Sequence, residues 1–183
     1  MSLLFENIRI RIGHYLNKQK EVRTTLQTAR PADCRRIIIL SDQSDNAVQK
    51  AVTSLKSQLK VVCPRASVVQ ISYCSKQARI DNTRISDHNI EYINNDDFTF
   101  FFRMKNEAVK KYISEDYDFV VLFTNHKHIY LDFVLKYIKS PLKIGHKNAD
   151  GGSLNFVIDT ESDDVAELSN AIIGCYSMMF SKN

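Results

Sequence analysis

Residues 36–45 read RIIILSDQSD, a continuous apolar run followed by a polar cluster. An apolar run of this length is typical of a strand that is buried on both faces, as the strands of parallel sheets are. The apolar residues that come next recur at the spacing of one helix face, at Ala47, Val48, Ala51, Val52, Leu55 and Leu59. We therefore predict a strand, a turn and a helix, which form the repeating unit of a parallel α/β sheet.

The same alternation continues along the chain. Strands are predicted at 67–73, 117–123, 142–145 and 154–159, with a short one at 89–93, and helices at 105–115, from 124 onward and at 163–180. Five to six strands that alternate with helices predict a three-layer, Rossmann-like α/β sandwich with a mostly parallel central sheet. We expect one such domain over residues 34–183, preceded by a helical arm over residues 1–33.

The arm is predicted to be a basic amphipathic helix. Residues 1–36 carry eight basic and three acidic side chains, whereas the whole chain has a net charge of only +4. An apolar stripe recurs at helical spacing through Leu4, Ile8, Ile12, Tyr15, Val22 and Leu26. The stripe could dock on the domain or on a second subunit, lie on a membrane surface, or accompany the bases to nucleic acid or another acidic partner. We favour docking over membrane contact and over nucleic acid.

The sequence also indicates where the protein resides. No apolar run approaches the roughly 18 residues that a membrane-spanning helix needs. Glu6 and Arg9 interrupt the apolar start of the chain before it reaches the length of a secretion signal. The four cysteines form no CxxC pair, and buried, reduced cysteines are their simplest role. We expect a cytoplasmic protein.

Signatures of common enzymes and cofactor sites are missing from the sequence. It contains neither GxGxxG nor GxxxxGK[ST], and it has no GxSxG nucleophile motif. Glycine is scarce, with 5 residues in the chain, although loops that hold phosphates use glycine freely. We expect no cofactor, and we lean against an enzyme.

Three loops are nevertheless expected at the carboxyl ends of strands, where open α/β sheets bind their ligands. Their candidate ligand-binding residues are Asp42, Ser44 and Asp45 in the first loop, Asn125 and His126 in the second, and Gly145, His146 and Lys147 in the third. Capping of the next helix explains the first loop equally well, and a plain turn around Asp150 explains the third. His126 and His128 could bind a metal, but residues two apart at the start of a helix do not face each other. His146 could approach His126 across neighbouring strands.

Phe98-Thr99-Phe100-Phe101-Phe102 is the most unusual segment of the sequence. In an extended segment, Phe98, Phe100 and Phe102 would line one face, and burial in the core is the simplest expectation. If Phe101 and its neighbours stay exposed, they form a patch that indicates a partner or a second subunit. The candidate partner-binding residues are Ile8, Ile12, Tyr15, Phe100, Phe101 and Arg103.

Several segments together resemble a known family. The basic arm, RIIILSDQSD, the run at Phe98–Phe102, YDFVVLFTN, LKIG and NFVIDT are similar to a family of small bacterial proteins classed as a domain of unknown function. This resemblance covers nearly the whole chain and implies no catalytic residues. A weaker likeness links YDFVVLFTN, the following helix and LKIG to one βαβ unit in the N-terminal half of heptosyltransferase-type glycosyltransferases, which is a hint about the fold.

Two hypotheses for function follow from the sequence. The first is a non-catalytic binding or interaction module that acts as a homodimer or with a protein partner. The alternative is a small enzyme, or a degenerate relative of one, that binds a phosphorylated or nucleotide-like ligand at the strand-end loops. The alternative requires the loops to converge, whereas the first requires exposed apolar area away from them.

Overall fold

The computed structural model describes residues 3–16, 28–43, 46–74, 89–160 and 164–180. In this part of the chain the helices are α1 (Leu3–Leu16), α2 (Asn46–Val62), α3 (Glu107–Ile113), α4 (Ile129–Tyr137) and α5 (Val165–Phe180). The strands are β1 (Arg36–Asp42), β2 (Ser67–Tyr73), β3 (Ile90–Ile93), β4 (Phe119–Phe123), β5 (Lys143–His146) and β6 (Phe156–Ile158). Short 3-10 turns follow β3 at Asn95–Asp97 and β5 at Lys147–Ala149. No helix within the described ranges is both long and apolar enough to cross a membrane.

The six strands form one sheet in the order β3-β2-β1-β4-β5-β6, and every neighbouring pair is parallel. The predicted Rossmann-like sandwich is therefore confirmed. From β1 the chain builds outward to β2 and β3, and then returns to place β4 on the other side of β1. The strand order reverses between β1 and β4, and ligands of open α/β sheets bind at the carboxyl ends of the strands at this point.

Both faces of the sheet are covered by helices. Ile37 and Ile39 of β1 belong to a core with α2 and α5, whereas Ile38 and Leu40 belong to a second core with α3 and α4. Successive side chains of a strand point to opposite faces, so a continuous apolar run supplies both cores at once. The same alternation decides which polar residues can meet at the strand ends.

Helix α1 packs on the body of the domain through a face that the apolar stripe does not predict. Gly13 is buried, and a Cβ atom at this position would lie 2.8 Å from Cδ2 of Phe102. The guanidinium of Arg9 lies over the rings of Phe100 and Phe102, at 4.9 and 4.4 Å from their centroids. In contrast, Ile8, Ile12 and Tyr15 are 46%, 40% and 79% exposed. The expectation that the stripe docks on the domain was wrong for these three residues, because glycine and a stacked arginine allow a closer approach. Val22 and Leu26 of the stripe lie outside the described residues.

A polar network fixes the other side of α1. Lys136 of α4 donates to Nδ1 of His14 and forms an ion pair of 2.9 Å with Asp132. The hydroxyl of Ser153 donates to the other oxygen of Asp132 at 3.1 Å. The His14 ring also stacks on Phe133, with 4.7 Å between their centroids. Because an ammonium group can only donate, His14 accepts through Nδ1 and holds its proton on Nε2.

The aromatic segment is a tight hairpin. Phe98 and Met104 form an antiparallel bridge, and the N–H of Phe102 donates to the carbonyl of Thr99 at 3.0 Å. Phe98 and Phe102 are buried, but Phe100 at the tip is half exposed. The prediction that alternate phenylalanines share one face fails at Phe100 because the chain reverses there. Phe102 adopts the left-handed φ of 61°, and its ring stacks on Phe133 at 4.5 Å, which offsets the conformational cost.

Candidate functional site

The point of strand reversal is occupied by a buried carboxylate. Asp42 is the last residue of β1, where it is in register with Tyr73 of β2. Its side chain points to the same face as Ile38 and Leu40, toward the core of α3 and α4. Asp42 is 8% exposed. Ser44 and Asp45, the other candidates from this loop, lie outside the described residues.

Two histidines from the loop after β4 converge on this carboxylate. Nε2 of His126 lies 3.5 Å from Oδ2 of Asp42, and Nε2 of His128 lies 3.8 Å from the same oxygen. The predicted helix start at Thr124 was wrong, since α4 begins at Ile129. The loop before it is not helical, so the helical spacing that would keep residues two apart from facing each other is absent there. Both imidazoles therefore border the buried acid.

His128 is held by the backbone of the helix that it begins. It is the N-cap of α4, and its Nδ1 accepts the N–H of Leu131 at 3.4 Å. A neutral imidazole with an accepting Nδ1 carries its proton on Nε2, the atom that faces Asp42. Burial lowers the pKa of His128, the Asp42 charge opposes this shift, and the nearby His126 adds to it. His128 is thus a neutral donor that points at the carboxylate.

His126 lies on the side of the cluster that is accessible to solvent. Its side chain is 59% exposed, and its Nδ1 lies 3.1 Å from Oδ1 of Asn125 and 3.3 Å from Oγ1 of Thr124. The amide oxygen of Asn125 can only accept, so Nδ1 of His126 donates to it. The ring is positioned by its neighbours, while one face stays open to solvent.

Aromatic rings form the wall beside His128. The ring of Tyr73 lies 4.2 Å from that of His128 and stacks on Tyr130 with 5.6 Å between centroids. The Tyr73 hydroxyl donates to Oδ1 of Asn95 at 2.5 Å. Burial, more than the neighbouring Tyr130 and Asp42, raises the pKa of Tyr73 and keeps it a neutral donor. Sequence reasoning missed Tyr73, although its position at the end of β2 matches that of Asp42 at the end of β1.

The third predicted loop does not join this cluster. His146 follows Ile144 on the face of α2 and α5, opposite to the face of Asp42, because side chains alternate along β5. His146 is buried, its Nδ1 accepts the N–H of Asn148 at 3.2 Å, and its Nε2 has no hydrogen-bond partner among the described residues. Its predicted approach to His126 was therefore wrong. Within the described ranges no group of three histidine, cysteine or acidic side chains could hold a metal ion.

The remaining candidates of the third loop have structural contacts. Gly145 faces β4 so closely that a Cβ atom would lie 3.0 Å from the carbonyl oxygen of Leu122. Lys147 forms an exposed ion pair of 2.9 Å with Asp159. The carboxylate of Asp150 accepts the N–H of Gly152 at 2.8 Å, which fits the plain turn expected there.

A buried polar cluster that the sequence did not predict lies on the other face of β1. The hydroxyls of Ser41 and Ser72 are 2.9 Å apart, and Nε2 of Gln70 donates to both, at 3.1 and 2.6 Å. All three residues are buried. Polar residues within two strands that the sequence predicts to be buried could have indicated this cluster, because a buried strand position normally holds an apolar residue.

The sequence matches DUF6913, a family of unknown function, over residues 9–174. The chain belongs to this family. The match confirms the resemblance to a family of unknown function and brings no assigned activity. No curated protein matches the sequence.

Two solved structures are similar to this DUF6913 member at low identity. One is an alpha,alpha-trehalose 6-phosphate synthase from Burkholderia multivorans, with 14% identity and a TM-score of 0.45 over 94% of this chain and 41% of the other. The second is a UDP-forming alpha,alpha-trehalose-phosphate synthase from Burkholderia xenovorans, with 13% identity and a TM-score of 0.41 over 94% of this chain and 45% of the other. The chain spans less than half the length of either synthase.

Proposed function

We propose that the protein binds a small ligand that carries hydroxyl groups close to a negative charge, as nucleotides and sugar phosphates do. The observation that carries the proposal is the convergence of His126 and His128 on the buried carboxylate of Asp42. This cluster lies where the strand order reverses, at the usual ligand position of open α/β sheets.

Each group of the cluster has a role in binding. Asp42 accepts hydrogen bonds from ligand hydroxyls, and charge-assisted bonds of this kind are stronger than neutral ones. The exposed Lys127, next to His126, attracts the anionic group of the ligand. The N-terminus of α4, which His128 caps, adds a partial positive charge on the same side. The ring of Tyr73 supplies an apolar wall.

The arrangement favours binding over catalysis. A general base needs a nitrogen that is within reach of the substrate proton. In His128, Nδ1 is engaged by the Leu131 N–H and Nε2 faces Asp42. In His126, Nδ1 is engaged by Asn125 and Nε2 faces Asp42. In both rings each nitrogen therefore faces a protein group, and none is directed at a bound molecule.

Calorimetric titration tests this proposal. The probes are adenosine 5′-monophosphate, ribose 5-phosphate, adenosine and inorganic phosphate, so that hydroxyl and phosphate recognition are separated. We expect a probe with both groups to bind more tightly than adenosine or phosphate alone. Asp42→Asn should weaken that binding roughly tenfold or more, the effect of losing a hydrogen bond to a charged acceptor. Asp159→Asn is the matched control, because Asp159 is an exposed carboxylate paired with Lys147.

The proposal fails if none of the four probes binds. It also fails if Asp42→Asn and the Asp159→Asn control weaken binding equally, because a general charge effect would then explain the loss. Circular dichroism of both variants checks that the fold is retained.

A further inference from the structure

The outward face of α1 is apolar although the helix is docked. Ile8, Ile12, Tyr15 and Leu16 are 36% exposed or more, and they recur at spacings of four, three and one residues. At about 100° per residue these positions form one continuous face of the helix. The face that contacts the domain holds Arg9, Gly13 and His14 instead. A contiguous apolar surface that no described part of the chain covers indicates a partner.

The surroundings of this face are basic. Arg11 is exposed on the edge of the face away from the hairpin. The hairpin tip adjoins the opposite edge, since Arg9 lies over the ring of the half-exposed Phe100. The exposed Arg103 belongs to the same hairpin. An apolar helix face bordered by arginines and aromatic rings has the composition of helices that lie in a membrane interface.

We propose that this face of α1 binds the surface of an anionic lipid bilayer, with Ile8, Ile12 and Leu16 among the acyl chains and Arg11 at the headgroups. Branched aliphatic side chains need an apolar phase to bury in, and lipid supplies one, whereas nucleic acid offers little beyond the faces of its bases. The exposed Arg11 and Arg103 are complementary to anionic headgroups.

A second copy of the chain fits this face less well. Pairing of α1 with itself about a two-fold axis would bring the same surface of both copies together. Arg11, which borders the face, would then be brought toward its counterpart in the second copy, and the two like charges would repel each other. An anionic bilayer satisfies both the apolar face and its charge.

Vesicle flotation tests the proposal. The full chain is mixed with vesicles of phosphatidylcholine alone or of phosphatidylcholine with phosphatidylglycerol. We expect flotation with the anionic vesicles and little with the neutral ones. The double variant Ile8→Ser/Ile12→Ser should lower the partition coefficient about tenfold or more, since several buried carbons are lost. Arg11→Glu should lower it about fivefold or more, because one attractive charge is replaced by a repulsive one.

Val61→Ser is the matched control, because Val61 is an 81% exposed apolar residue on α2, outside this face. Flotation that survives Val61→Ser and is lost in the double variant supports the proposal, and so does its decrease at high salt. Absence of flotation, or flotation that the double variant leaves unchanged, overturns it. A dimer in light scattering that the double variant dissociates, without any flotation, overturns it and assigns the face to a second copy. All the variants change exposed side chains, and circular dichroism confirms that each one folds.

Discussion

Substitution of alanine for glycine at two helix positions should change the stability of the protein in opposite directions. Gly13 lies in α1 against Phe102 and Phe133, whereas Gly174 lies in α5 with nothing within 4 Å of the position that a Cβ atom would take. Alanine is favoured over glycine in a helix interior by about 1 kcal/mol. Gly174→Ala should therefore stabilise the protein by roughly 0.5–1 kcal/mol.

At Gly13 the same preference is outweighed by packing. The new methyl group would lie 2.8 Å from Cδ2 of Phe102 and 3.1 Å from Cζ of Phe133. Carbon atoms pack best at about 3.5–4.0 Å, and overpacking costs roughly 1–3 kcal/mol. The Phe102 ring cannot easily move, because it is buried and stacks on Phe133 at 4.5 Å. Subtracting the helix gain of about 1 kcal/mol leaves a net loss of about 1 kcal/mol in the docking of α1.

Hydrogen exchange at fixed pH measures this effect directly. Local opening of α1 is reported by its own amides, and urea unfolding reports the rest of the domain. We expect Gly13→Ala to speed exchange in α1 several-fold and to leave the amides of β1 and β4 nearly unchanged. Equal stabilisation by Gly13→Ala and Gly174→Ala, with slower exchange in α1, would show that α1 does not pack on Phe102 as described.

Three further predictions concern the network behind α1 and the buried polar residues. Burial, followed by the charge of Lys136, lowers the pKa of His14 from its ordinary 6.5. The stability that neutral His14 contributes to the docking of α1 is therefore complete above pH 6.5 and is lost as the pH falls. Thermal unfolding at pH 7 and 5 should show this loss in the wild type and a smaller one in His14→Gln; equal losses would contradict it. Gly151→Ala should destabilise the protein by about 1–3 kcal/mol in urea, because its Cβ atom would lie 2.5 Å from the paired Asp132 carboxylate. Gln70→Ala should cost about 1–3 kcal/mol, since it removes the donor to two buried hydroxyls; a change below about 0.5 kcal/mol would match an ordinary surface site instead.

The fold could be predicted because the apolar pattern that marks each strand and helix lies within a short stretch of sequence. The run from Ile37 to Leu40 is apolar at every position, and a strand between two helical layers buries all of it. The predicted strands and helices of the domain therefore appear in the structure with shifts of a few residues at their ends. Even the short strand around Ile90 is present, at the edge of the sheet.

The docking face of α1 was not predictable from hydrophobicity alone. The usual rule places the apolar stripe of Ile8 and Ile12 inward. The structure instead packs Arg9 and Gly13 on aromatic rings, because a guanidinium stacks on Phe102 and glycine permits close contact. An arginine can cover apolar surface with its stem, and a hydrophobicity scale does not count that contribution.

The prediction of the candidate site depended on the residue at which helix α4 begins. Thr124 and Asn125 are favourable N-cap residues, whereas histidine is not, and the sequence therefore predicts a start near Thr124. A helix from that point would direct the side chains of residues 126 and 128 to different sides, about 200° apart. The structure begins α4 after His128, whose own Nδ1 accepts the Leu131 N–H and thereby takes the place of the usual cap. The Nε2 atom of the same side chain faces Asp42, so the residue that caps α4 also places an imidazole beside the carboxylate of the candidate site.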